Sequence, residues 1–277
     1  MTDIRKNLIV IIFLLSATMI ALLFLNLNKS WKNRSALIIE SQSGQSVNLP
    51  KKISKGRVNF FSLNGFSEKI IFYDESDYMV YESGYDGKMK KEVARIPGVL
   101  EMIFGPKGED AIAAISESGN LKRYYFDLGN DSRTALNQNI KSVAFSPDGR
   151  KIAYYFYDGR LAEENISVSD PDGSGFKNIF KTRIEDLEIS WPNDGLIVFR
   201  SKKEVNLFVF SISPEGENFR RLTEEESAAA FGEKIAGAEK EIFENLDIDA
   251  LKIKLSPLKD YIIFINSSDG KLYSLGL

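Results

Sequence analysis

Five short runs of nearly continuous apolar residues recur along the chain, and a tight-turn signal precedes each of them. The runs are KIIFYD (69–74), AIAAIS (111–116), KIAYYF (151–156), LIVFRS (196–201) and YIIFIN (261–266). A run of this length without polar alternation is typical of a β-strand that is covered on both faces. The pattern therefore predicts five buried strands, each from one copy of a repeated unit.

Two series of turns give this unit its boundaries. The turns that precede the runs are FSLNG (61–65), FGPKG (104–108), FSPDG (145–149), SWPNDG (190–195) and LSPLKD (255–260). A second series follows the next strand and ends in Gly44, Gly87, Gly129, Gly173 and Gly216, which lie 43, 42, 44 and 43 residues apart. Proline fixes its own φ and glycine accepts a positive φ, so both series predict tight hairpins.

Four strands in about 43 residues, repeated, are the signature of a β-propeller blade. The sequence predicts five blades, with six as the alternative because residues 225–249 occupy the place where a degenerate blade would lie. The C-terminal stretch 251–277 supplies only three strands, whereas residues 36–53 look like outer strands without inner ones. Pairing these two stretches would close the ring and leave no open sheet edge.

One aromatic residue recurs at the same position of the apolar run in most repeats. These residues are Phe72, Tyr154, Phe199 and Phe264, with Ala113 as the exception. One large ring per repeat is expected where neighbouring sheets pack together. The pattern favours core packing over a ligand-binding set of aromatic residues.

Residues 225–249 depart from the repeat. Hydrophobic residues recur there at intervals of 4, 3, 4 and 4, which is a helical stripe formed by Phe231, Ile235, Ala238, Ile242 and Leu246. With good helix formers between them, these residues predict a helix on the propeller rather than a strand pair. The helix either covers an apolar edge or blade gap, or binds a partner through Phe231, Ile235, Ile242 and Leu246.

The N-terminal region predicts a membrane anchor. Residues 8–27 contain no charge, and a helix of 20 residues is about 30 Å long, which matches the hydrocarbon core of a bilayer. A cleaved signal peptide is the alternative, but its apolar run is usually about 7–15 residues and no A-x-A site follows here. The predicted organisation is a cytoplasmic tail (1–7), a transmembrane helix, a tether (28–35) and a propeller (36–277).

The charge is unevenly divided between the two parts of the chain. The net charge is −3, yet residues 1–34 hold five basic residues against one acidic residue, so the remainder carries −7. An acidic domain is repelled by phosphate backbones, and nucleic acid is therefore not an expected partner. Basic residues flank the span on both sides, but a short N-terminal tail commonly stays in the cytoplasm. We therefore expect a single-pass protein with an extracytoplasmic propeller.

The 277 residues include no cysteine and no histidine. This absence excludes disulfides, thiolate nucleophiles, zinc sites built from Cys or His, and Ser-His-Asp triads. The DPDGSG stretch (170–175) lacks the later oxygen ligands and closing glutamate of a calcium loop, and a hairpin turn explains it. The acidic residues fall mostly in turns and surface loops, as Glu68, Asp110, Asp148, Asp170 and Asp172 show. No enzyme activity, metal or cofactor is expected.

The most regular repeat invites comparison with a known family. VAFSPDGRKIAYYFYDG (143–159) followed by ISVSDPDGSGFKNIF (166–180) resembles the TolB-like β-propeller repeat. The resemblance covers residues 36–277 and is clearest at 140–183, whereas Gly105 and Lys107 replace the expected Ser and Asp in the second repeat. It implies a non-catalytic protein-binding or scaffolding module in the cell envelope.

A glycan-binding or glycan-cleaving extracytoplasmic propeller is the alternative function. Some five-bladed propellers hydrolyse glycans with two carboxylates near the central channel, and this chemistry needs no histidine. The rim of the channel distinguishes the two hypotheses. Clustered carboxylates with an aromatic platform would favour sugar, whereas an apolar or mixed surface beside the 225–249 helix would favour protein.

Overall fold

The computed structural model describes residues 49–64, 67–161, 163–203, 208–231 and 249–277. These residues form five four-stranded antiparallel sheets, and each sheet is one blade of a β-propeller. The predicted architecture and the preferred number of blades are confirmed. Since residues 1–48 lie outside the described part, the predicted tail, anchor and tether lie outside it too. Among the described residues, no helix has the length and apolarity needed to span a membrane.

The strands of each blade follow one another from the central channel to the rim. Blade 1 contains β2–β5 (Val58–Asn64, Lys69–Asp74, Met79–Gly84, Lys91–Arg95) and blade 2 contains β6–β9 (Val99–Phe104, Asp110–Glu117, Asn120–Asp127, Ser132–Ala135). Blade 3 contains β10–β13 (Ile140–Phe145, Ile152–Asp158, Glu163–Ser169, Lys177–Lys181) and blade 4 contains β14–β17 (Leu187–Asn193, Leu196–Ser201, Phe210–Ile212, Arg220–Arg221). Blade 5 contains β18–β20 (Ala250–Leu255, Tyr261–Asn266, Leu272–Gly276) and, as its outermost strand, β1 (Lys51–Lys52).

The two ends of the described chain close the ring in blade 5. Strand β1 pairs antiparallel with β20, with Lys51 opposite Ser274 and Lys52 opposite Tyr273. The contact continues beyond the strand, because the buried Oγ of Ser54 accepts a hydrogen bond of 2.9 Å from the amide of Leu272. The predicted closure is therefore confirmed at its β1 end, and β20 is not left as an open edge.

The second strand of every blade is buried on both faces, as its apolar run predicts. The repeated aromatic position lies at its centre, where Phe72, Phe199 and Phe264 are fully buried and Ala113 and Tyr154 are 0% and 5% exposed. Four hydrophobic clusters each join two neighbouring blades: 1 with 2, 2 with 3, 3 with 4, and 5 with 1. The interpretation of the aromatic residues as core packing is confirmed.

The boundary between blades 4 and 5 is different. Helix α1 (Glu224–Phe231) begins there, which confirms the first part of the predicted 225–249 helix, and residues 232–248 lie outside the described part. Val198 faces away from blade 3 because it alternates with Ile197 along β15, and it packs instead with Ala230 and Phe231 of α1. The described residues contain no hydrophobic cluster shared by blades 4 and 5. The inserted helix covers the face that blade 4 turns away from blade 3.

A cationic channel as the candidate functional site

The innermost strands of all five blades surround a cavity of about 520 Å³ on the axis of the propeller. It extends to the turns that follow the first strands of blades 2 and 3, where Pro106, Ser146 and Pro147 line it. The lining from the strands comprises Phe60, Phe61, Ser62, Met102, Ile103, Phe104, Val143, Ala144, Phe145, Ile189, Ser190, Trp191, Lys252 and Lys254. Its volume lies within the usual range of ligand sites, roughly 300–1,000 Å³.

Two lysines of β18 supply the only charged side chains of this described lining. The strand reads ALKIKL, and alternation along a strand places Lys252 and Lys254 on the same side. The Lys252 Nζ donates to the backbone oxygen of Asn59 at 2.9 Å, and the Lys254 Nζ to that of Phe61 at 3.5 Å. An ammonium group has three donor hydrogens, so each lysine keeps donors for a further acceptor.

The two positive charges have no counter-ion in the described part of the chain. No aspartate or glutamate of that part lines the cavity, and neither lysine forms a salt bridge with a described residue. Both residues are exposed to the solvent of the channel, and partial desolvation by the channel walls lowers the pKa of Lys252. The same desolvation, followed by repulsion from Lys252, lowers the pKa of Lys254 to about 8.

Aromatic rings lie beside the two ammonium groups. The Lys252 Nζ is 5.9 Å from the ring centre of Phe60, and the Lys254 Nζ is 5.4 Å from that of Phe61. Trp191 lines the same cavity and is 8% exposed, and its covered indole Nε1 has no acceptor among the described residues. The cavity thus combines hydrogen-bond donors with apolar faces and provides no carboxylate oxygen from the residues described.

Helix α1 packs beside this channel. The Oγ of Ser190, which lines the cavity, donates a hydrogen bond of 2.8 Å to the backbone oxygen of Ala230. The guanidinium of Arg200 lies 4.0 Å from the ring centre of Phe231. Of the four predicted partner-binding residues, Phe231 therefore packs on blade 4. The other three, Ile235, Ile242 and Leu246, lie outside the described residues, and their role stays a prediction.

A capping box fixes the start of α1. The amide of Glu226 donates to the Thr223 Oγ1 at 3.3 Å, and the amide of Thr223 donates to the Glu226 Oε2 at 2.9 Å. Arg220 holds the same carboxylate with two hydrogen bonds of 3.1 and 2.9 Å. These partners, Arg220 first, lower the pKa of Glu226 to about 2. Strand β17 and the helix are thereby joined through one glutamate.

The acidic residues singled out in the sequence lie away from the channel lining. The Asp172 carboxylate accepts a 2.9 Å hydrogen bond from the amide of Ser174, and the amide of Gly173 donates to the backbone oxygen of Asp170 at 2.9 Å. These bonds confirm a hairpin turn in DPDGSG. The sequence places Asp110 in a surface turn, but it is the first residue of β7 and is partly buried. This burial, assisted by Glu109 and Asp127, raises its pKa to about 6.

The lysine pair was not among the residues predicted to have a function. The LKIKL stretch carries the signal, since its alternation indicates that both lysines share one side. Nothing local to that stretch shows that this side faces the channel rather than the solvent outside. That information comes from the closure of the five blades.

Comparison with known proteins finds no match to a family model and none to a curated protein. Among solved structures, TolB from Acinetobacter baumannii is 17% identical, with a TM-score of 0.43, over 81% of this chain and 50% of its own. A TolB candidate from Agrobacterium tumefaciens is 14% identical, with a TM-score of 0.44, over 80% and 71% of the two chains. An oligogalacturonate lyase from Vibrio parahaemolyticus is 10% identical, with a TM-score of 0.47, over 84% and 68%. At such values these likenesses carry no functional argument, and the five-bladed fold is assigned from the strand pairing.

Proposed function

We propose that this protein is a non-catalytic protein-binding module of the cell envelope, anchored in the membrane by residues 8–27 with its propeller outside the cytoplasm. One observation carries the proposal: the channel lining described here is mixed apolar and cationic, and α1 packs directly beside it. A surface of this kind suits a protein partner that contributes both apolar and acidic side chains.

The glycan-cleaving alternative finds less support in this lining. Hydrolysis of a glycosidic bond generally needs two carboxylates on either side of the scissile bond. The described lining supplies two ammonium groups instead, and Asp110, whose pKa is raised, is not one of its residues. The rings of Phe60 and Trp191 offer apolar faces to a sugar, so glycan binding without cleavage is the second candidate.

The membrane part of the proposal is supported by sequence. The uncharged residues 8–27 are long enough to cross a bilayer, and the TolB-like repeat at 140–183 implies an envelope protein. Tethering would restrict the propeller to partners at or near the membrane surface.

Proximity crosslinking in intact membranes, followed by purification of the full chain, tests this proposal. We expect a discrete protein adduct, and we expect it to be lost when Ile235, Ile242 and Leu246 are replaced by serine. Ala229→Ser, on the exposed side of α1, is the control and should retain the adduct. Retention of cell-wall glycan without any protein adduct would overturn the proposal and favour the glycan-binding alternative.

A further inference from the structure

The pair formed by Lys252 and Lys254 is a positive charge that the described fold leaves without an anion. Two like charges held side by side repel each other, and an anion between them relieves this repulsion. Here both side chains extend into the channel, where desolvation lowers both pKa values. Two ammonium groups on one side of β18 face one cavity whose described lining has no carboxylate, and an anionic ligand would complete this site.

The geometry of the pair suits one carboxylate or two neighbouring ones. Alternate residues of a strand are spaced by about 7 Å along its axis, and flexible side chains of four methylenes can converge from that spacing. Each ammonium already donates to one backbone oxygen, of Asn59 or Phe61, which limits its movement. An anion placed between them would receive hydrogen bonds assisted by charge from both sides.

The surroundings indicate that the anion carries apolar groups. The aromatic rings of Phe60, Phe61, Phe104, Phe145 and Trp191 line the same cavity. A bare inorganic ion would leave these surfaces in water. An acidic residue with an aliphatic or aromatic neighbour would cover them while its carboxylate meets the lysines.

The local charge is opposite to that of the domain. Residues 35–277 carry a net charge of −7, so the exterior repels acidic partners in general. A cationic cavity inside an acidic domain attracts an anion locally, because its low-dielectric walls concentrate the field there. This contrast selects for a partner with a short acidic segment rather than an extended acidic surface.

We propose that the channel binds an acidic peptide segment of the protein partner, with a carboxylate held by Lys252 and Lys254 and an adjacent apolar side chain on the aromatic lining. The inference rests on the proposed function, because it takes the partner to be a protein. It adds the chemistry of recognition and the two residues that provide it.

Fluorescence anisotropy with the full chain tests this site. The probe is a labelled peptide, Ala-Phe-Glu-Phe-Asp with a free C-terminus, compared with an amidated peptide in which Gln and Asn replace the two acidic residues. Inorganic phosphate serves as a competitor that lacks the apolar groups. The protein variants are K252Q/K254Q, which removes both charges, K252R/K254R, which keeps them, and K91Q. Lys91 lies on the outermost strand of blade 1 and is exposed.

We expect the acidic peptide to bind the unmodified protein, K252R/K254R and K91Q with similar affinity. Loss of two charge-assisted contacts should weaken binding to K252Q/K254Q by at least about tenfold. The neutral peptide should bind the unmodified protein with a similarly reduced affinity. Phosphate should compete with the acidic peptide only at much higher concentration. Because loss of these like charges is expected to raise stability at pH 7, urea unfolding of K252Q/K254Q distinguishes a lost binding site from a lost fold.

Equal binding of the acidic peptide to K252Q/K254Q, or no binding to the unmodified protein, would overturn the inference. Competition by phosphate as strong as that by the unlabelled peptide would also overturn it, because the rings would then contribute nothing. The crosslinking experiment tests the proposed function separately. A protein adduct that persists in K252Q/K254Q would refute the channel site alone, whereas absence of any adduct would refute the proposed function even where the peptide binds.

Discussion

The carboxylate of Asp74 accepts a hydrogen bond from the backbone amide of Gly56, with 3.0 Å between Oδ2 and nitrogen. Asp74 is fully buried at the end of β3, and it also accepts from the amides of Lys55 and Ser76 at 3.1 Å. A Cβ on Gly56 would lie 2.2 Å from the Asp74 Oδ1, so only glycine permits this approach. The segment that follows the closing strand β1 is thereby fixed to blade 1.

Asp74→Asn should destabilise the protein by roughly 2–3 kcal/mol, because an amide NH2 would face buried N–H donors that need an acceptor. Urea unfolding measures the change in the free energy of unfolding. Asp194→Asn, at an exposed turn, is the matched control and should stay close to the unmodified protein. Equal stability of the two variants would show that this link does not stabilise the ring.

The turn at Gly216 makes a second contact between blades that a side chain would disturb. Gly216 has a φ of 95°, and an added Cβ would lie 2.7 Å from the backbone oxygen of Ile179 in blade 3. Gly119 has a φ of 79° but no atom within 4 Å of such a Cβ. Gly119→Ala should therefore cost only the backbone strain, about 1 kcal/mol, whereas Gly216→Ala should cost clearly more. Thermal unfolding of the two variants checks this order, and a reversed order would contradict it.

Thr223→Ala should loosen the start of α1. Removal of an N-cap side chain typically costs about 1 kcal/mol of helix stability, and here it also leaves one partner of Glu226 missing. Hydrogen exchange of the amides in Glu224–Phe231 is expected to accelerate, while that of blade 3 stays unchanged. Glu225→Gln, an exposed neighbour outside the capping box, is the control. Unchanged exchange in Thr223→Ala would mean that packing on blade 4 alone fixes the helix.

The lowered pKa of Lys254 predicts that the stability of the protein rises at alkaline pH. Its pKa is lowered to about 8 in the folded protein, against a usual value of about 10.4, so the unfolded chain binds more protons between these values. The contribution of Lys254 to the free energy of unfolding should therefore increase as the pH rises from about 8 to 10.4. Urea unfolding at several pH values should show that Lys254→Gln is more stable than the unmodified protein at pH 7 and loses this advantage by pH 10.

Lys91→Gln, an exposed lysine on an outer strand, is the control that removes one positive charge away from the channel. Among the described residues that line the channel, Lys252 and Lys254 are the only ionisable side chains. A constant difference between Lys254→Gln and the unmodified protein from pH 7 to 10 would contradict the desolvation of this side chain.

The propeller could be predicted from the sequence because its repeat is local. In blades 1, 3 and 4 the glycines of the second turn, Gly87, Gly173 and Gly216, have a positive φ, as expected for tight turns. The rule has exceptions even so. In blade 2 the positive φ belongs to Asp131 rather than Gly129, and in blade 5 Lys259, with a φ of 57°, occupies the position that glycine holds in other first turns.

The candidate site could not be predicted in the same way, because it depends on contacts between distant residues. Asp74 ends an apolar run like any surface residue, and its partner Gly56 lies 18 residues earlier. Lys254 looks like the polar side of an ordinary strand until the ring brings it to Phe61, which lies 193 residues earlier. Alternation in LKIKL predicts a shared side for the lysines, and only the assembled ring determines where that side points.

The most direct measurement of the central claim is site-specific photocrosslinking from the channel in intact membranes. A photoreactive residue at Ser62, which lines the cavity on β2, is compared with one at Lys91 on the outer strand of the same blade. The account predicts a discrete protein adduct from Ser62 that is absent from Lys91 and weakened by K252Q/K254Q. Adducts of equal yield from both positions, or none from Ser62, would contradict the claim that this channel binds a protein.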